Sequence, residues 1–161
     1  MRQVHGTLVR VAGSGVLLRG PAGSGKSDTA LALIAAGHAL VADDGVILQR
    51  QGATLMGTAP AIGQGLVYLR GPGLIDPMLC YGADAVSTEA RVELLIDLAA
   101  ERDDTPDIHG SWATEDLLGI PLPRLALAPE RPVAALVPAA VAALSGRGRA
   151  LAAFDRGRPC A

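Results

Sequence analysis

Gly20-Pro-Ala-Gly-Ser-Gly-Lys-Ser27 is the stretch that decides how this chain is read, because it fits G-x-x-x-x-G-K-[ST] residue for residue. Glycines at 20, 23 and 25 let the backbone curl so that successive N–H groups point into one concavity, where phosphate oxygens accept them. Lys26 brings a positive charge to the β- and γ-phosphates of a nucleoside triphosphate, and Ser27 offers its hydroxyl to magnesium. A helix that starts at Lys26 adds its N-terminal partial charge to the same anion. Pro21, Ala22, Ser24 and Asp28 complete the candidate set for ATP and Mg2+. The context the motif requires is present: an apolar strand before the loop and an amphipathic helix after it.

Working outward, Thr7 to Val11 and Val16 to Arg19 are apolar runs about the turn Ala12 to Gly15, which predicts a β-hairpin. After the loop, Ala30, Leu31, Leu33 and Ile34 predict a helix that Gly37 ends. Ala39-Leu-Val-Ala-Asp-Asp44 reads as a strand closed by two acids. Its spacing from Lys26 suits a strand beside the one that feeds the phosphate loop, with Asp43 and Asp44 brought to the same sheet edge to hold magnesium or take a proton. Neighbouring side chains at a strand end point in different directions, so the two acids are expected to have different tasks. His5, followed by Gly6, lies just before the hairpin.

Farther on, Val46–Gln49, Ala53–Met56 and Leu66–Arg70 read as short strands between glycine and proline turns. Arg91 to Ala100 admits a buried strand with a helical extension or a helix throughout, and a strand is favoured. Glu101 to Asp107 reads as a polar surface loop and candidate mobile segment. Prolines at 121, 123, 129 and 132 leave room for one short strand at Leu125 to Leu127. A helix over Val133 to Leu144 is expected to kink or divide at Pro138 and to end at Gly146. The division that follows is a domain over 1–146 and an arginine-rich tail over 147–161.

With 161 residues, half of them hydrophobic and 19% charged, the chain suits one globular domain. A net charge of −2 gives no global field for nucleic acid or anionic membranes, and Trp112, Tyr68, Tyr81 and Phe154 are too few to stack bases along a strand. No run approaches the length of a membrane span, and Cys80 and Cys160 have no metal-ligand spacing, so a cytoplasmic location is expected.

His5-Gly6, Gly20–Asp28, Gly37–Asp44 and Arg70–Gly73 together resemble the catalytic C-terminal domain of HPr kinase/phosphorylase, in the short form associated with α-proteobacteria that has no separate N-terminal domain. The likeness covers about residues 3 to 100. It implies an α/β P-loop fold related to phosphoenolpyruvate carboxykinases, with a mixed central sheet and flanking helices. It also implies an ATP- and Mg-dependent kinase for a serine of an HPr-like phosphocarrier of the phosphotransferase system, with phosphorolysis of the phosphoserine as the reverse activity. By position, Lys26 would bind phosphates, Ser27 magnesium, and Asp44 would take the serine proton; His5 would sit near the phosphate and Asp43 would support the metal. Full-length members are hexamers, which implies a homo-oligomer.

The chain departs from the family pattern in three places. Where the family has E-[IVL]-R-G-x-G, with the glutamate on magnesium, this chain reads Tyr68-Leu-Arg-Gly-Pro-Gly73. The family's catalytic arginine is absent from Asp107–Gly110, leaving His109, Arg124 and Arg70 as the groups in question. The glycine-arginine-asparagine element linked to phosphorolysis is absent from Ala128–Val137. A nucleotide-binding regulatory homologue with weak turnover, or a kinase for another acceptor, are the alternatives.

Overall fold

The structure is a computed structural model that describes residues 1–99 and 109–157. The expected mobile segment Glu101–Asp107 lies outside the described residues.

The hairpin forms as its pattern predicts. β2 (Thr7–Val11) and β3 (Ser14–Arg19) pair antiparallel, and Ala12 and Gly13 between them have φ of 50° and 88°. Positive φ at both turn positions is the geometry whose twist matches that of the flanking strands. α1 (Lys26–Ala35) follows the phosphate loop. It ends where Gly37, at φ 97°, donates its N–H to Ile34 O at 2.9 Å.

A large curled sheet dominates the molecule. β1 (Arg2–His5), β4 (Ala39–Ala42), β5 (Gly45–Gln51), β6 (Thr54–Thr58) and β9 (Glu89–Leu98) join the hairpin in the order β1-β5-β6-β9-β3-β2-β4. The strand reading of Arg91 to Ala100 is therefore correct up to Leu98. β9 is the spine: its start pairs antiparallel with β6, and its later residues pair parallel with β3. Its last residues also pair parallel with β11 (Ile120–Leu127), whose other edge carries β10 (Trp112–Leu117). Its middle residues, Leu94–Ile96, are covered on both faces and make a short continuous apolar run, which is why periodicity alone could not separate the segment from a helix.

Strand alternation divides the core in two. Val9, Val16, Leu18, Leu94 and Ile96 point to one face, under Ala30 and Leu33 of α1 and Val133 and Val137 of α3 (Val133–Gly157). Leu8, Leu17 and Leu95 point to the other face, where the sheet curls so that Leu48 and Leu55 cover them. A small separate hairpin, β7 (Val67–Leu69) and β8 (Gly73–Ile75), precedes α2 (Pro77–Tyr81).

Several expectations are corrected. β4 pairs with β2, so it lies one strand away from β3 and not beside it. β11 begins at Ile120 and accommodates Pro121 and Pro123, because β9 reaches only to Arg124 and leaves that stretch with a partner on one side. α3 is not divided at Pro138 and continues past Gly146 to Gly157. Gly146 and Gly148 inside the helix each cost only about 1 kcal/mol relative to alanine, too little to stop it. β1, β8, β10 and α2 had no sequence expectation.

Candidate active site

β2 runs antiparallel to both β3 and β4, so β3 and β4 run the same way. Gly20, after β3, and Asp43, after β4, therefore emerge at the same edge of the sheet. α1 starts there with Gly25 at its N-cap, at φ 89° and with no side-chain cap, so the first-turn N–H groups remain available to an anion. Gly20 has φ 151°, and a methyl placed on it would lie 2.8 Å from Leu98 O and 2.7 Å from Ser24 Oγ. Only glycine lets the chain leave β3 this close to β9. Lys26 is 7% exposed, and its Nζ donates to Gly20 O at 2.9 Å and Pro21 O at 3.0 Å. The ammonium thus sits at the mouth of the loop.

Asp43 is the hub that joins the strands to the loop. Its Oδ1 accepts from Thr7 Oγ1 at 2.7 Å, and Ser27 Oγ lies 3.0 Å from each of its carboxylate oxygens. The Tyr68 backbone N–H donates to Oδ2 at 3.3 Å. Asp44 faces the other way: it sits at φ 63°, and its side chain is 89% exposed. His5 is opposite Gly45 in the β1–β5 register, and its Nδ1 lies 2.9 Å from Asp44 O and 3.4 Å from Asp44 Oδ1. The two acids do differ in orientation, one turned inward to Ser27 and one turned out to solvent.

These residues line a cleft of about 440 Å³ that His5, Thr7, Gly23, Lys26, Ser27, Asp28, Asp43 and Asp44 share with Tyr68 and Arg70. The β7–β8 hairpin brings the last two. Val67 and Leu69 are buried against Ile34, Leu40 and Ala85, and alternation turns Tyr68 and Arg70 to the opposite side of the strand. Tyr68 is 64% exposed and also lines a second concavity with Asp44, Ile62 and Leu74.

Behind the loop is a charge network that the linear reading missed. Arg19, the residue before Gly20, donates from Nε to Asp97 at 2.8 Å and forks onto Glu115 at 2.7 and 2.8 Å. Arg124 Nε donates to Asp97 Oδ2 and lies 3.5 Å from Glu115 Oε2. The Glu115 hydrogen bond raises the Arg19 pKa against the opposing effect of burial. The Arg19 hydrogen bond lowers that of Glu115. For Asp97, burial pushes the pKa up, but hydrogen bonds from Arg19 and Arg124 outweigh it and the net shift is downward. No local motif could have revealed four residues on four strands; only the sheet order assembles them.

The residues fit a magnesium nucleotide. Uncapped N–H groups, the Lys26 ammonium and a glycine-lined loop suit phosphate oxygens, and Ser24 Oγ is buried with no hydrogen-bond partner among the described residues. No group of three or more His, Cys, Asp or Glu gathers as a metal cage among the described residues. Magnesium is commonly held by one or two protein oxygens together with phosphates and water, and Ser27 Oγ with Asp43 supplies those. Of the residues around the expected arginine position, Asp107 and Ile108 lie outside the described residues. No described helix is long and apolar enough to cross a membrane.

Residues 1–156 match the family model described as HPr Serine kinase C-terminal domain. The HPr kinase/phosphorylase of Clostridium botulinum (strain Eklund 17B / Type B) is 38% identical over 144 residues, which is 86% of this chain and 47% of that protein. The protein of the same name from Geobacillus kaustophilus is 51% identical over 96 residues, 59% of this chain and 31% of that one. The solved structure of the Hpr(Ser) kinase/phosphatase from Coxiella burnetii matches with a TM-score of 0.81 at 30% identity, covering 98% of this chain and 100% of that chain. The chain spans half the length, or less, of these curated relatives. It belongs to the HPr serine kinase C-terminal domain family, and its mixed α/β architecture is the P-loop-type fold of that family.

Proposed function

From its place in the HPr serine kinase family, we propose that this chain is an ATP- and magnesium-dependent kinase for a serine hydroxyl on an HPr-like phosphocarrier protein, working in the cytoplasm. The observation that carries the reading is the pairing of Asp43 with Ser27 at the head of the phosphate loop, next to an outward-facing Asp44. Phosphoryl transfer needs positioning, charge neutralisation and a group to orient the nucleophile, and these residues supply all three. Magnesium-bound ATP, when present, supplies the transferable phosphoryl group and the neutralising cation.

Each residue then has a defined task. Lys26 and the N–H groups of the loop hold the phosphate chain. Ser27 Oγ and Asp43 offer oxygens to the metal, with Thr7 fixing the carboxylate. The Asp44 carboxylate accepts the proton of the incoming serine hydroxyl as its oxygen bonds to the terminal phosphorus of ATP and the bond from that phosphorus to the leaving ADP breaks. In phosphorolysis inorganic phosphate attacks the phosphoserine phosphorus, pyrophosphate forms, and the same carboxyl group gives a proton to the leaving serine oxygen. Its exposure suits an acceptor carried on another protein, which cannot enter a deep pocket. His5 holds the backbone of Asp44, so that the proton acceptor keeps its place despite lying outside the core.

Incubating the protein with magnesium, labelled ATP and HPr-type carriers should transfer label to the carrier, and Asp44→Asn should abolish transfer while nucleotide still binds. Bound nucleotide without any label transfer would sink the kinase reading. A second reading, a nucleotide-binding homologue with weak turnover, is favoured by Tyr68 standing where the family has a carboxylate. Under it Tyr68→Glu raises the transfer rate, and a rate that stays at zero counts against it.

A further inference from the structure

We infer that Arg70 is the guanidinium that contacts the phosphoryl groups in this site, a role that neither Arg124 nor Arg19 fills. The inference rests on the nucleotide-binding reading and adds to it a residue from outside the phosphate loop.

Two arginines are spent elsewhere. Arg19 and Arg124 share Asp97 and Glu115, two cations against two anions, and neither lines the cleft. Their charges are already matched, and moving either one would leave two neighbouring carboxylates sharing a single arginine.

Arg70 is placed differently. It lines the cleft, and a methyl on Gly23 of the phosphate loop would lie 3.7 Å from its Nη2. It has no hydrogen bond or ion pair among the described residues. An arginine that reaches over a phosphate-binding loop without any protein acceptor presents all its donors to whatever enters. Its planar fork can bridge two phosphate oxygens, which a point charge cannot do.

The support for Arg70 is rigid. Leu69, the residue before it, is 4% exposed and packs with Val67 and with Ile34 of α1, the helix that begins at Lys26. The β7–β8 hairpin and the phosphate loop therefore share one anchor. Gly71 and Gly73, at φ 95° and 84°, let the chain reverse directly after Arg70, so the arginine closes a strand and does not ride on a long loop. Charge balance points the same way. The cleft contains the carboxylates of Asp28, Asp43 and Asp44, and Lys26 and Arg70 are the lysine and arginine that line it. Without Arg70, an incoming polyphosphate would meet three carboxylates and a single lysine; Arg70 reduces that excess of negative charge without reversing it.

The test is calorimetric titration of the ligand-free protein with magnesium-ATP and, separately, with inorganic pyrophosphate. Arg70→Ala and Arg70→Gln should each weaken both ligands about 10–100-fold, the range for a lost hydrogen bond to a charged group. Arg70→Lys should recover part of the loss, because it restores the charge without the fork. The melting temperature of the ligand-free variants should match wild type, since the side chain is exposed and makes no contact that folding needs. Unchanged affinity in Arg70→Ala and Arg70→Gln, with wild type binding normally, overturns the role of Arg70 alone. Failure of wild type to bind either ligand overturns the nucleotide-binding reading and this inference together.

Discussion

Removing the Asp43 carboxylate should damage folding as well as metal binding, and the damage should depend on Thr7. Thr7 has no exposed surface, and its hydroxyl donates to Asp43 Oδ1 at 2.7 Å. Asp43→Ala leaves that hydroxyl buried without its acceptor, which costs about 1–3 kcal/mol. Loss of the bonds from Ser27 and the Tyr68 N–H, both nearer solvent, adds about 1 kcal/mol, so the single variant should lose about 2–4 kcal/mol. Thr7→Val alone removes the donor, replaces it with a methyl of similar size, and should cost about 1 kcal/mol. In the double variant no buried hydroxyl is stranded. Asp43→Ala should therefore cost about 1–2 kcal/mol less in the Thr7→Val background than in wild type. Urea unfolding of the four ligand-free proteins measures this directly, provided the denaturant slope is the same in all four. Additivity to within about 0.5 kcal/mol would refute the reasoning, because it would mean that Thr7 does not hold the carboxylate.

Acidification tests the network behind the loop. Asp97 and Glu115 have folded pKa values below the ordinary carboxylate range, so the unfolded chain binds protons first as pH falls, and stability drops with it. Their contribution is complete above the unfolded carboxylate pKa of about 4 and disappears as pH passes down through the lowered folded values. Urea midpoints measured against pH should show this acid limb, and it should flatten in Asp97→Asn/Glu115→Gln, which is also less stable at neutral pH. Gly20→Ala would place a methyl 2.8 Å from Leu98 O at φ 151°, so the loop must shift, and pyrophosphate affinity in calorimetry should fall more than tenfold, about 1.4 kcal/mol. Leu69→Ala should cost about 2–5 kcal/mol in urea unfolding and also weaken nucleotide binding, since it withdraws the anchor of the β7–β8 hairpin. Unaltered binding in a folded Leu69→Ala protein would show that the hairpin does not serve the site.

How far the sequence could be read follows from the range of each interaction. The hairpin, the phosphate loop, α1 and its end at Gly37 are set by neighbours within a few residues, and they are where the patterns place them. β9 was ambiguous because Leu94–Ile96 is buried on both faces, and that apolar run interrupts the alternation that Glu89–Glu93 keeps. β11 was underestimated because proline is excluded from a strand only where both edges are paired, and pairing is not written in the strand itself. α3 outran its expected end because glycine is a weak stop: the helix passes through both Gly146 and Gly148 at about 1 kcal/mol each.

The turn from Gly20 into α1 was legible at once, since a curl of consecutive glycine-rich residues before a helix depends on near neighbours alone. That Asp43 and Asp44 meet the loop was also legible, although the route was not: β4 reaches the shared edge with β2 lying between it and β3. Tertiary structure alone decided which acid turns inward to Ser27 and which outward beside His5. It also decided that Arg124 is bound up with Asp97 and Glu115 while Arg70 faces the loop. The physical reason is the same in each case. A binding loop is made by consecutive backbone groups, whereas a side chain's partner is fixed by which strands become neighbours and which face of a strand is buried.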